Sequence, residues 1–229
     1  MERPARSQAE IVELAHRMYE EAFRRMEDAR LQDVVESRIT AMYGPPMRNP
    51  ELMLVSFQGG AGDASPSEPI WPDRLRYLDS EFDFGRALRS QFGEAGLSET
   101  LEDRTVAMAA CFPEAPAKES NRWMAKHGAR ADWREFSSTW VRRMVSAMCP
   151  RAVLLFGKKA SEALGLEGHW RDEVFDARGW RAFGRAELKG CPAIYCQHLS
   201  QGWRRESVQA SLRIVRRIIE ARGEGSGMP

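Results

Sequence analysis

The side chain in this sequence best placed to do chemistry is His198, two residues past the apolar run Ala193-Ile194-Tyr195-Cys196 and flanked by Gln197 and Ser200. An imidazole at the end of a strand can donate a hydrogen bond to a developing anion. A lone histidine is as a rule structural, so placement is what singles this one out. His16 and His127 sit among charged residues, and His169 precedes Trp170 in a predicted loop. Asp63 is the second candidate, closing the loop Gly59-Gly60-Ala61-Gly62 after another apolar run. A carboxylate there would orient or deprotonate a water; an ordinary turn aspartate is the competing reading. The loop is neither a dinucleotide fingerprint nor a P-loop. Its glycines let backbone amides approach a ligand closely, or simply make a tight turn.

Phe57, Phe112 and Trp123 are candidate stacking residues, with a core role as the alternative. The C-terminal segment carries Arg204, Arg205, Arg213, Arg216, Arg217 and Arg222 against Glu206 and Glu220. This is either a solvated helix face or an edge that contacts phosphate, which guanidinium groups bind in bidentate fashion. The four cysteines, Cys111, Cys149, Cys191 and Cys196, form no CxxC pair and read as buried free thiols. No ligand cluster for a metal is evident, so neither metal nor cofactor is expected.

Positioning these residues requires strands with loops at one edge. Residues 51–57, 104–111, 151–156 and 193–196 are short apolar runs, and helical spacing separates them. Helices are predicted from Phe82 to Phe92, Trp133 to Met148, Ser161 to Leu164 and Trp203 to Arg222. Four apolar strands alternating with helices predict an α/β fold, a three-layer α/β/α arrangement around a central four-stranded parallel sheet. Ligands of such sheets bind beyond the carboxyl ends of the strands. Loops 58–63, 112–118 and 197–202 leave those ends. From Ser7 to about Met42 apolar residues recur at helical spacing until Gly44-Pro45-Pro46. Residues 1–45 therefore read as a helical extension, 46–222 as the α/β domain and 223–229 as a disordered tail.

The chain has 229 residues, 43% hydrophobic and 29% charged, enough for a substantial core. It has no apolar run of about 18 residues, so no membrane span is expected, and the N-terminus lacks a signal-peptide core. Cytoplasmic location follows as the default. A net charge of +1 does not announce a nucleic-acid partner by itself.

The order of the loops adds a resemblance. A strand with a glycine-rich loop comes first, then a strand ending in Phe112-Pro113, then Cys149-Pro150-Arg151-Ala152-Val153-Leu154-Leu155-Phe156-Gly157-Lys158-Lys159-Ala160, then a strand with His198-Leu199-Ser200. Over about residues 50–220 this resembles the uracil-DNA glycosylase superfamily. The third segment is similar to that family's "Pro, apolar strand, Gly-Lys-x-Ala" signature, and His198-Leu199-Ser200 to its His-Pro-Ser motif, with leucine replacing proline. The resemblance implies that His198 stabilises a departing base anion and that Ser200, with Lys158, Arg204 and Arg205, holds DNA phosphate. Phe57, Gln58, Gly59 and Gly60 would line the base-binding loop with Phe112 and Asn121. Gly59 stands where the commonest members place an aspartate, which leaves Asp63 as the water activator to test. No amide occupies the usual base-reading position, where Ala109-Ala110-Cys111 stands.

The implied function is a DNA glycosylase, acting as a monomer, that flips out and removes a base that need not be uracil, such as a modified pyrimidine in foreign DNA. Two alternatives stay open. One is a nucleic-acid-binding protein of this fold that has lost the chemistry, and the other is a small-molecule hydrolase using the same crevice.

Overall fold

The computed structural model describes residues 6–26, 39–57, 71–79, 81–113, 130–199 and 203–223. The elements are α1 (Gln8–Met26), β1 (Leu52–Ser56), α2 (Asp83–Glu94), α3 (Ser98–Asp103), β2 (Thr105–Ala109), α4 (Arg130–Met148), β3 (Ala152–Phe156), α5 (Lys158–Ala163), β4 (Arg171–Phe175), β5 (Arg181–Leu188), β6 (Cys191–Cys196) and α6 (Arg205–Gly223). A short 3₁₀ turn spans Arg76–Leu78.

The protein is α/β, with one sheet in the order β2-β1-β3-β6-β5-β4. The four strands read from apolar runs pair in parallel, for example Leu54 with Ala107 and Leu154, and Leu155 with Tyr195. Every residue of β1, β2 and β3 is buried, which explains why these strands read as continuous apolar runs rather than as alternating ones. The expected four-stranded parallel sheet must nevertheless be corrected to a six-stranded mixed one. A hairpin, β4 and β5, joins antiparallel to β6, with Phe183 opposite Cys196 and Leu188 opposite Cys191. Its outer strand, Arg171-Asp172-Glu173-Val174-Phe175, is exposed throughout, so it carries no apolar signature. Within it the register breaks between Arg171 and Phe175, and Asp172 takes a left-handed φ of 51°.

Helices α2, α3 and α6 pack as one group, and α1, α4 and α5 as another. In α6, Val208, Leu212, Val215 and Ile219 are buried, as their spacing predicts, and the Ser211 hydroxyl donates to the Tyr195 carbonyl at 2.9 Å. Ile11, Leu14, Ala15, Met18 and Ala22 of α1 join the same core as the strands. The helix predicted to continue to about Met42 is corrected at its far end. Ile39 and Met42 form antiparallel bridges to Pro113 and Met108. This return segment is held by the Tyr19 hydroxyl, which accepts the Ala41 and Met42 N–H groups at 3.1 and 2.9 Å. Of the predicted tail, 223–229, Gly223 ends α6 and residues 224–229 lie outside the described residues.

Cys111, Cys191 and Cys196 are buried cysteines outside any disulfide, as expected, but Cys149 is exposed. It occupies the turn between α4 and β3, with a left-handed φ of 51°. Native protein is therefore expected to show one fast-reacting thiol toward an aromatic disulfide reagent, which Cys149→Ser removes. Fast labelling that survives Cys149→Ser would contradict the burial of the other three.

Among the described residues no helix is long and apolar enough to cross a membrane.

Candidate functional site

The parallel strands bring Ser56, Phe156 and Cys196 to one edge of the sheet, and the residues after them build the site. Gly157 follows β3 with φ 82° and ψ 164°, a conformation essentially reserved for glycine. Its N–H donates to the Cys196 carbonyl at 2.8 Å, tying the end of β3 to the end of β6. A Cβ built on it would lie 3.2 Å from the His198 Cβ, so the absence of a side chain lets His198 settle there. Gly157→Ala is expected to cost about 1–3 kcal/mol of stability and to displace the imidazole. Thermal unfolding and the His198 ring resonances measure the two effects, and an unshifted ring signal would contradict the second.

The imidazole then meets an aromatic wall. Its ring centroid is 5.2 Å from that of Phe84. Phe84 in turn contacts Phe156 edge-on at 5.2 Å and Tyr77 at 5.1 Å, and Tyr77 stacks on Tyr43 at 5.3 Å. Burial in this setting, followed by the positive charge of Lys159, lowers the His198 pKa to about 4. The ring is thus a neutral imidazole at physiological pH, able to donate one hydrogen bond and carrying no charge of its own.

Other groups at this edge are also held neutral. Burial raises the Tyr77 phenol to about 12 against the opposing effect of Ser56. The Cys196 thiol is likewise pushed up to about 12 by burial, over a counteracting hydrogen bond involving Ser211, so it is no nucleophile. The Ser56 hydroxyl is buried and meets no partner with good hydrogen-bond geometry among the described residues. Taken together these groups form a neutral donor site with flat aromatic surfaces, beside the Lys159 charge. It suits a planar ring that acquires negative charge better than it suits a charged substrate.

Asp176, at the tip of the β4–β5 hairpin, is a carboxylate bonded to the His198 loop. Burial alone would raise its pKa, but hydrogen bonds from the Arg178 side chain and from the backbone N–H groups of Trp180 and Arg178, with the Arg178 charge, bring it down to about 2. It stays ionised and is a weak base. Gln197 Nε2 reaches it at 3.5 Å, while the Gln197 Oε1 accepts the Arg204 N–H at 2.9 Å. The residue before His198 is therefore a strut linking the histidine loop to the hairpin.

The remaining predicted positions disperse. Phe57 is half-buried with the Lys159 ammonium 5.7 Å from its ring centroid. Phe112 is fully buried, its ring edge-on to Phe136 at 6.0 Å, so it belongs to the core rather than to a stacking surface. Lys158 is exposed and pairs with Glu162 at 3.6 Å. Arg204 is half-exposed, 4.0 Å from Asp176. Arg205 turns instead to Glu94 on α2, with both carboxylate oxygens within 3.0 Å of its Nε, so the predicted phosphate role must compete with that ion pair. Gln58, Gly59, Gly60, Asp63, Asn121 and Ser200 lie outside the described residues. Sequence reasoning missed Tyr43, Tyr77, Phe84 and Asp176. Phe84 stood inside a predicted helix as an ordinary apolar residue, and nothing local marks the others.

Among the described residues no group of three His, Cys, Asp or Glu side chains could hold a metal ion. A groove of about 420 Å³ between the hairpin and α6, lined by Val174, Phe183, Arg213, Ile214 and Arg217 among others, does not include His198. The fold and this edge define an α/β protein with a mixed six-stranded sheet and a strand-end site built on a neutral histidine. No family model matches the chain, and no curated protein matches it either.

Proposed function

We propose that this protein is a DNA glycosylase of the uracil-DNA glycosylase type with altered base specificity, acting as a monomer in the cytoplasm. The observation that carries the reading is the neutral imidazole of His198, set against an aromatic wall at the carboxyl ends of parallel strands. In the proposed reaction a nucleotide flips out of the stack and its base enters the edge beside Phe84 and Tyr77. The bond between sugar and base breaks, and its electron pair leaves with the base. His198 donates to that developing anion without the desolvation cost of carrying a full charge itself. Water adds to the sugar carbon that loses the base and gives up a proton, which the departing base anion takes, with Asp63 as the residue to test for orienting that water. Ser200, Lys158 and Arg204 would hold flanking phosphates, and Arg205 would do so only by releasing Glu94.

A second reading is a protein that binds DNA through this fold and has lost the chemistry. Its support is Gly59, where a water-activating carboxylate would be expected, together with the low basicity of Asp176. Both readings are tested by incubating the protein with single- and double-stranded DNA carrying damaged and hypermodified bases, then counting alkali-labile abasic sites. Abasic sites on any of these substrates support the glycosylase. Folded protein that binds the panel yet yields none supports the second reading, and protein that does neither removes both.

A further inference from the structure

The β4–β5 hairpin reaches the same sheet edge as His198, because Phe183 near the start of β5 lies opposite Cys196 at the end of β6. Its tip is a hydrogen-bonded turn. Asp176 Oδ1 accepts the Arg178 and Trp180 N–H groups at 2.9 and 3.1 Å. The Asp176 N–H donates to the Trp180 carbonyl at 2.8 Å, and Gly179 makes the turn with φ 74°. The Gln197 strut fixes this tip to the histidine loop.

What the turn displays is costly to display. Trp180 is 56% exposed, next to Phe175 at 54%, although its large apolar ring would gain from burial. The Arg178 guanidinium lies 4.3 Å from the Trp180 ring centroid. Charge at the tip is arranged in one sense. The Asp176 side chain is only 3% exposed, whereas the Arg178 and Arg204 side chains paired with it are 40% and 49% exposed. The carboxylate therefore faces inward and the cations outward. Beside the hairpin, the groove along α6 is lined by Arg213 and Arg217 with Glu206 as the single carboxylate.

We infer that the hairpin tip is a stacking platform for a nucleic-acid strand, with Trp180 taking an unpaired base next to the one held at His198 and the flanking arginines taking phosphates. An exposed aromatic ring beside a guanidinium, on an outward-positive surface, matches the chemistry of single strands, whose bases offer π-faces and whose backbone is anionic. This inference rests on the glycosylase reading and extends it from the flipped base to the strand that carries it.

The test uses the full chain and fluorescently labelled mixed-sequence single-stranded DNA. The variants are Trp180→Ala, Trp180→Phe, the pair Arg213→Gln and Arg217→Gln, and His198→Ala, with circular dichroism confirming the fold. Trp180→Ala is expected to weaken binding about tenfold to a hundredfold, while Trp180→Phe retains most of it. The arginine pair should flatten the dependence of affinity on salt. His198→Ala should lower base release about a hundredfold to a thousandfold. Unchanged affinity in Trp180→Ala, in a parent that binds DNA and releases bases, overturns the platform and leaves the glycosylase standing. A parent that neither binds nor releases overturns both. A self-associated parent that Trp180→Ala dissociates without altering DNA affinity also overturns the platform, since the surface then serves a second copy.

Discussion

Replacing His198 with alanine is expected to lower base release by about a hundredfold to a thousandfold, the range seen when one donor to a developing oxyanion is removed. The fold should survive, because the ring sits at the strand edge against Phe84 rather than within the sheet. Single-turnover rates on any DNA the parent acts upon measure the effect, and rates within threefold of the parent would remove His198 from the reaction. The pH dependence carries a second signature. With its pKa near 4, the ring stays neutral well below the ordinary histidine value of 6.5. The rate should therefore stay level through pH 6.5 and fall only on the acid side, toward 4. Lys159→Gln removes the positive charge that helps depress this pKa, so its acid limb should move toward neutrality. The same shift links protonation to stability. As pH falls below 6.5 the unfolded chain takes up this proton before the folded one does. The contribution is complete above 6.5 and lost between 6.5 and 4, amounting to roughly 3 kcal/mol.

Arg181→Met is expected to be the most damaging single change to the hairpin. The guanidinium is 12% exposed and is met by Glu167 at 2.8 Å and Glu173 at 2.7 Å. It also lies 5.6 Å from the Trp170 ring centroid and 5.3 Å from that of Tyr195. Glu167 accepts a further hydrogen bond from Ser161, whose hydroxyl in turn accepts the Trp170 indole N–H. Removing the cation leaves two carboxylates with side-chain exposures of 32% and 29% and no counter-charge from it. A fully buried pair broken in this way costs about 3–5 kcal/mol. Partial solvation of both carboxylates reduces that to about 2–3 kcal/mol here. For a chain of this size the melting temperature should fall by roughly 5–10 °C. Changing Glu167 and Glu173 to glutamine in the same variant should recover part of the loss. Additive losses instead would show that Arg181 acts through packing on Trp170 and Tyr195.

The parallel half of the sheet was legible because burial on both faces demands unbroken apolar runs. Leu52 to Ser56 and Ala152 to Phe156 have no solvent face to announce. His198 was legible for the same reason: a polar residue directly after such a run must lie at the edge. The hairpin was not. In Arg171 to Phe175 every residue is exposed, and what holds the strand in place is pairing with β5 and a set of ion pairs that no local pattern encodes. Arg205 illustrates the same limit. It reads as part of a basic run, but its partner Glu94 is 111 residues away. Phe112 failed in the opposite sense, since an aromatic residue after a strand looks the same whether it faces a ligand or the core. The wall of Tyr43, Tyr77 and Phe84 gathers from three separate segments, and only the folded chain brings them together.

The two margins of the sheet have a further consequence. Beyond β2, the segment around Ala41 to Tyr43 occupies the outer hydrogen-bonding positions: the Ala109 N–H donates to the Ala41 carbonyl and the Tyr43 N–H to the Ala107 carbonyl, both at 2.9 Å. At the opposite margin, the left-handed Asp172 and the broken register of β4 spoil the regular ladder that an incoming strand would need. One side is capped and the other is irregular, so the sheet offers no straight template for edge-to-edge growth. The molecule can therefore leave Val174, Phe175 and Trp180 in solvent without inviting fibrillar stacking of its copies.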